Sequence, residues 1–319
     1  MIKNISNKEY QSTPAISHSL LVKIRKEGIY PAFLDSCFNE NRIEEVKDCF
    51  DLGNAYHTLV ALPDIVNNLE NYKEEWLKIK NESGKKDGCL KIELPETDWY
   101  IYDFGLKRSN KAYTDFVKNI CLTGDDLVLN WEEFETACNM AKEMQNHPLF
   151  VFFKERCEVV GFEKSIFRDV LVYGKMIPFK VRPDLLVKTA EGYIIIDFKS
   201  TKASSYDEME RIGEYEGYDI QAKDYIDRVA EEFEVPASNI RFICMMQSKK
   251  FPKIIRAFEF NNDSLIEAET DIYKYSIDFF ERLNNYKDVG EDAFIDLDVD
   301  VHTFKHYERK IEQDLKENY

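Results

Sequence analysis

Apolar residues recur first at helical and later at strand spacing along this chain. From residue 14 to 62 they fall three and four apart, the period of a helix with one buried stripe. Leu20, Leu21 and Ile24 form such a stripe behind a serine cap, Ser17 or Ser19, and Gly28-Ile29-Tyr30-Pro31 interrupts it. Phe50 to Leu62 carries a second stripe, closed by Pro63. Residues 64–110 are charged and read as irregular, with Ser83-Gly84-Lys85-Lys86-Asp87-Gly88 as an exposed loop. Trp131, Phe134, Cys138, Ala141 and Met144 predict an amphipathic helix from Trp131 to Asn146, stopped by Pro148. From about residue 157 the period shortens to that of strands, through Val159–Phe167, Val170–Tyr173, Phe179–Lys188 and Tyr193–Lys199. A helix over Tyr218–Glu234, strands at Ile240–Met246 and Ile254–Phe260, and helices at 264–285 and 302–317 complete the pattern. The expectation is an α/β (α+β) fold with a mixed central sheet flanked by helices. Its parts are a helical stretch 1–150, a core 151–262 and C-terminal helices 263–319, together one compact domain.

The densest chemistry sits in residues 179–200, FKVRPDLLVKTAEGYIIIDFKS. Tyr193-Ile194-Ile195-Ile196 reads as a buried strand that ends abruptly in Asp197-Phe198-Lys199. Successive side chains alternate faces, so Asp197 and Lys199 share one face and Phe198 takes the other. Thr189-Ala190-Glu191-Gly192 makes a four-residue hairpin loop. If Lys188 pairs with Tyr193, Asp184 then faces Asp197 across the hairpin. Two facing carboxylates repel, and burial adds a desolvation cost. A divalent cation between them removes both problems, and carboxylate oxygens suit Mg²⁺ or Mn²⁺. Lys199 is placed to orient or deprotonate a water beside that metal.

Five blocks widen this picture, in order along residues 10–260. Tyr10-Gln11-Ser12-Thr13-Pro14-Ala15-Ile16-Ser17-His18-Ser19-Leu20 comes first, and Gly53-Asn54-Ala55-Tyr56-His57 second. Glu163 in GFEKSIF follows, then Arg182-Pro183-Asp184 with Asp197-Phe198-Lys199, then Gln221-Ala222-Lys223-Asp224-Tyr225. Together they resemble the PD-(D/E)xK nuclease superfamily and, within it, the exodeoxyribonuclease VIII (RecE-type) exonucleases of phage and prophage recombination. The resemblance implies a restriction-endonuclease-like core with a helical elaboration before it. It implies His57, Asp184 and Asp197 as metal ligands and two ions per site. Asp184, Asp197, Lys199 and Glu163 become the catalytic set, with Gln221 and Tyr225 beside it. Its implied activity is degradation of linear double-stranded DNA from 5′ ends, leaving 3′ overhangs for a single-strand annealing protein. A homo-oligomeric ring and a bacterial cytoplasmic setting, phage or prophage encoded, come with it. An endonuclease of the same fold and a catalytically silent DNA-binding module stand as rival readings.

Charge complicates DNA binding. Forty-three lysines and arginines against 60 acids leave a net charge of −17. A polyanion is gripped only where cations meet its phosphates, so a local positive track is required. Arg182 and Lys202 flank the expected site, and Lys249, Lys250 and Lys253 lie further on. Seven cysteines form no zinc or iron–sulfur spacing. No bilayer-length apolar run or signal-peptide start is present, and the expected setting is cytoplasmic without a membrane partner. No glycine-rich phosphate loop occurs, so no nucleotide cofactor is expected. Asp296-Leu297-Asp298-Val299-Asp300 lacks the turn glycine and closing glutamate of a calcium loop, and His302 and His306 lack the zincin glutamate. The stripe Phe304, Tyr307, Ile311 and Leu315 is a candidate subunit or partner contact.

Overall fold

The computed structural model describes residues 2–42, 48–83, 89–94, 97–102, 126–249 and 254–294. In chain order the first elements are β1 (Ile2–Lys3), α1 (Asn7–Ser12), α2 (His18–Glu27), α3 (Ile29–Leu34), α4 (Asp48–Ala61), α5 (Pro63–Asn67) and α6 (Leu69–Ser83). There follow β2 (Cys89–Glu93), β3 (Asp98–Tyr102), β4 (Leu127–Asn130), α7 (Trp131–Gln145) and α8 (Pro148–Arg156). The remainder is β5 (Glu158–Phe162), β6 (Ser165–Val172), β7 (Lys175–Val181), β8 (Leu185–Lys188), β9 (Tyr193–Thr201), α9 (Tyr206–Tyr215), α10 (Tyr218–Phe233), β10 (Ile240–Ser248), β11 (Ile255–Phe258) and α11 (Asn262–Val289). Lys250, Lys253, Asp296–Asp300, His302, His306 and the stripe from Phe304 to Leu315 lie outside the described residues, as do the loop 84–88 and the helix expected at 302–317.

A five-stranded sheet in the order β11-β10-β9-β8-β5 forms the centre, parallel between β9 and β10 and antiparallel elsewhere. Both its faces are covered, which is why Tyr193–Ile196 reads as an unbroken apolar run. Ile194, Ile196 and Phe198 join α4, α7 and α8 in one core cluster. Leu186, Ile195 and Cys244 join Ala222, Ile226 and Val229 of α10 in another. A third cluster ties α2 and α3 to α11 and β7. Gly28, at φ +94°, closes α2 and opens α3, the break expected there.

Three expectations need correction. Residues 64–110 are not irregular where described: Leu69, Tyr72, Trp76 and Ile79 line α6 at helical spacing, and β2 alternates buried Leu90 and Ile92 against β3. The single strand expected at Val159–Phe167 is two, β5 and β6, in different sheets and broken at Glu163. Phe179–Lys188 likewise splits into β7 and β8 at Arg182-Pro183-Asp184, because Pro183 has no N–H to continue a ladder. Pro148 ends the helix before it, as expected, and also starts α8.

Candidate active site

The hairpin register follows the expectation. Lys188 pairs with Tyr193 and Leu185 with Ile196, so Asp184 stands one step past β8, opposite Asp197. Freed from the strand by Pro183, the Asp184 carboxylate accepts from Phe198 N at 2.7 Å and so replaces the missing ladder carbonyl. Asp197 is 2% exposed and shares the α10 side of the sheet with Ile195. Lys199 Nζ lies 2.7 Å from Asp197 Oδ2, an ion pair whose direction leaves that oxygen without a true hydrogen bond. Gln221 Nε2 donates to Asp197 Oδ1 at 2.6 Å. His57, delivered by α4, places Nδ1 3.4 Å from Asp184 Oδ2.

The four charges set one another. Burial and the neighbouring Asp184 push the Asp197 carboxyl above its ordinary range, against the pull of Lys199. Asp184 goes the other way: despite burial, His57, Lys199 and the Phe198 amide hold its carboxyl below the ordinary range. Burial works against charge on His57, yet Asp184 outweighs it and raises the imidazole. Burial is likewise outweighed at Lys199, whose ammonium Asp197 and Asp184 hold above its ordinary value. Each acid thus has a cationic neighbour drawn from the chain itself.

Among the described residues no three His, Cys, Asp or Glu side chains are assembled as a metal cage. The donor set still fits a hard divalent cation. Asp197 Oδ2 is buried without a directed hydrogen bond, Asp184 and His57 line one cavity, and two carboxylates with one imidazole suit Mg²⁺ or Mn²⁺.

The remaining expected residues fall into three groups. Gln221 and Tyr225, expected beside the site to hold a phosphate or a carboxylate, are each 2% exposed, because α10 lies flat against the sheet. Tyr225 donates its hydroxyl to Arg182 O at 3.2 Å and so steadies the Arg182-Pro183-Asp184 turn. Glu163 sits in the turn between strands at φ +46°, its N–H bonded to Asp184 O at 3.1 Å and its Oε2 held by Arg182 at 2.9 Å. Arg182 therefore faces Glu163, while Lys202 is exposed past β9 and lines neither cavity near the site.

Sequence reasoning missed His18. It packs edge-on against Tyr225, and burial with nearby Lys199 lowers its pKa to about 3, so it is neutral at ordinary pH. The signal was in plain view, since Ser17 caps α2 and puts His18 and Ser19 on its first turn.

Residues 17–291 match the family described as PDDEXK-like domain of unknown function (DUF3799). The chain belongs to that family. Among solved structures, a candidate exonuclease from Eubacterium rectale is similar at 12% identity, covering 92% of this chain and 89% of that one, with a TM-score of 0.48. The protein SSO0001 is similar at 17% identity over 44% of this chain and 66% of its own, with a TM-score of 0.25. No curated protein sequence matches. No helix among the described residues is long and apolar enough to cross a membrane.

Proposed function

We propose that this protein is a metal-dependent deoxyribonuclease that degrades linear double-stranded DNA from 5′ ends. The observation that carries the reading is the Asp184–Asp197–Lys199 cluster with His57 beside it, Asp184 and His57 lining one cavity and Lys199 the next. Asp184, Asp197 and His57 would hold Mg²⁺ or Mn²⁺, with two ions in the full reading. When bound, the cation supplies Lewis-acid charge to phosphoryl oxygens and acidifies water. Lys199, kept protonated by Asp197, holds water or a phosphate oxygen in place and does not remove a proton while that pairing lasts. Gln221 fixes the Asp197 carboxylate, and Tyr225 fixes the turn that presents Asp184. Glu163 anchors the same turn through its backbone and Arg182.

The 5′-end preference and the 3′ overhang rest on the five ordered sequence blocks. They also support a ring-shaped homo-oligomer, a single-strand annealing partner, and a phage or prophage gene acting in bacterial cytoplasm. Linear duplexes labelled separately at each terminus, incubated with Mg²⁺, test the core of the reading. Loss of the 5′ label first, with covalently closed circles left intact, is the expected result. An unchanged duplex would end the nuclease reading, and cut circles would replace exonuclease by endonuclease.

A further inference from the structure

Two cavities open on either side of the start of α2, and Ser17, His18 and Ser19 line both. The first, about 400 Å³, contains Asp184 and His57, and its other charged side chains are Glu163 and Arg182, which pair with each other. The second, about 610 Å³, contains Lys199 and Gln221. Lys23, Lys26, Arg42 and Lys180 also line it, against Glu27, Asp35 and Glu216. Five cations therefore meet three acids in this cavity, within a chain of net charge −17. A cationic hollow in an acidic body concentrates polyanions there.

The cations are not equivalent. Lys180 is committed, its ammonium donating to the carbonyls of Tyr10, Gln11 and Thr13 at 2.9, 3.1 and 2.8 Å. Lys23 is paired with Asp35, and Lys26 with Glu216 at 2.6 Å. These pairs are partly exposed, and such pairs are weak enough to exchange for another anion. Arg42 stands exposed at the rim. The first turn of α2, a ten-residue helix, adds the partial positive charge of its N-terminus. His18 Nδ1 is buried there without a hydrogen-bond partner.

We propose that the second cavity is the track for the sugar–phosphate backbone of one DNA strand, gripped by Lys23, Lys26 and Arg42. The strand crosses the start of α2 and lays one phosphodiester against Asp184, Asp197 and Lys199. This rests on the nuclease reading and adds the path of the substrate.

Binding of a fluorescein-labelled oligothymidylate of about twelve nucleotides, followed by anisotropy in Ca²⁺ over a range of salt, tests the track. Each single-strand phosphate contact contributes about 0.7 to the slope of log Kd against log salt. The double variant Lys26→Gln/Arg42→Gln should lose about 1.4 of that slope and bind roughly tenfold more weakly at low salt. The charge-matched pair Lys175→Gln/Lys188→Gln, which lines neither cavity, should keep the wild-type slope. If the double variant does not fold, the exposed single change Arg42→Gln should lose about 0.7. Equal slopes in all variants, or no binding by the wild-type chain, would overturn the track. Wild-type cleavage in Mg²⁺ alongside equal slopes would leave the nuclease reading standing, and lost slope without cleavage would do the reverse.

Discussion

Two buried charge clusters share helix α10, and they behave differently. Gln221 opens the first, in which Asp197 is buried while Asp184, His57 and Lys199 line the cavities. Asp224, three residues on, opens the second with Arg228, both wholly buried. Arg228 Nε is 3.7 Å from Asp224 Oδ1, and its guanidinium lies 4.7 Å from the centre of the Phe179 ring. Arg228 also reaches Glu231 at 3.3 Å. Neither Asp224 oxygen nor any guanidinium nitrogen of Arg228 makes a directed hydrogen bond, and neither residue lines a cavity near the site. Burial pushes the Asp224 carboxyl up to about 7 in spite of Arg228. A shifted acid in a protein interior is therefore no mark of chemistry by itself; access for a substrate separates the two clusters.

The sharpest break between them is activity. Asp197→Asn should lower metal-dependent cleavage by about 10³-fold, since it removes one of the carboxylates proposed to hold the cation. Asp224→Asn should leave the cleavage rate within a factor of about two, measured on the same labelled duplex; an equal collapse in both would merge the clusters. Stability should show the opposite ranking. Arg228→Met alone strands Asp224 and should cost about 3–5 kcal/mol in urea unfolding, whereas Asp224→Leu/Arg228→Met should cost far less. Additive losses would show that the pair is not coupled.

A smaller effect sharpens the contrast through pH. The Asp224 carboxyl is ordinarily near 3.8 and rises to about 7 in the folded chain. Between those values the native state holds a proton that the unfolded state has lost. Stability from this group is therefore complete below pH of about 4 and declines as pH rises towards 7, by up to about 1.4 kcal/mol per pH unit. Asp224→Asn should erase that slope, so its advantage over wild type grows from pH 4 to 7. Parallel curves for the two proteins would exclude the buried proton.

Much of the first cluster was legible because a hairpin carries it. Alternation along β9 placed Asp197 with Lys199, and the loop length set Asp184 opposite. The helix of His57 and the Gln221–Tyr225 spacing were equally readable from local period. Tertiary packing was not. Whether α10 lies flat on the sheet decides that Gln221 is buried, and nothing local reports it. Breaks at Glu163 and Pro183 were hidden by apolar runs that cross from one sheet into another. Helix α9 went unread, although Ser205 caps it and Met209 and Ile212 recur at helical spacing among its acids. Arg182 and Lys202 were readable as cations near the site, whereas nothing local reports that α2 brings Lys23 and Lys26 from far upstream to the cavity that Lys199 lines.

That upstream origin has a kinetic consequence. Ile16 bonds to Pro178 O and Lys180 N as a one-residue strand, Tyr10 reaches Lys180 O, and Arg25 pairs with Asp219 across a separation of 194 residues. Closing loops of that length pays its entropy before any contact rewards it. The hairpin with the two aspartates can form early from neighbours in the chain. The roof over it arrives only when the first forty residues find the last hundred and fifty, so competence to act should lag behind the appearance of secondary structure as the polypeptide folds.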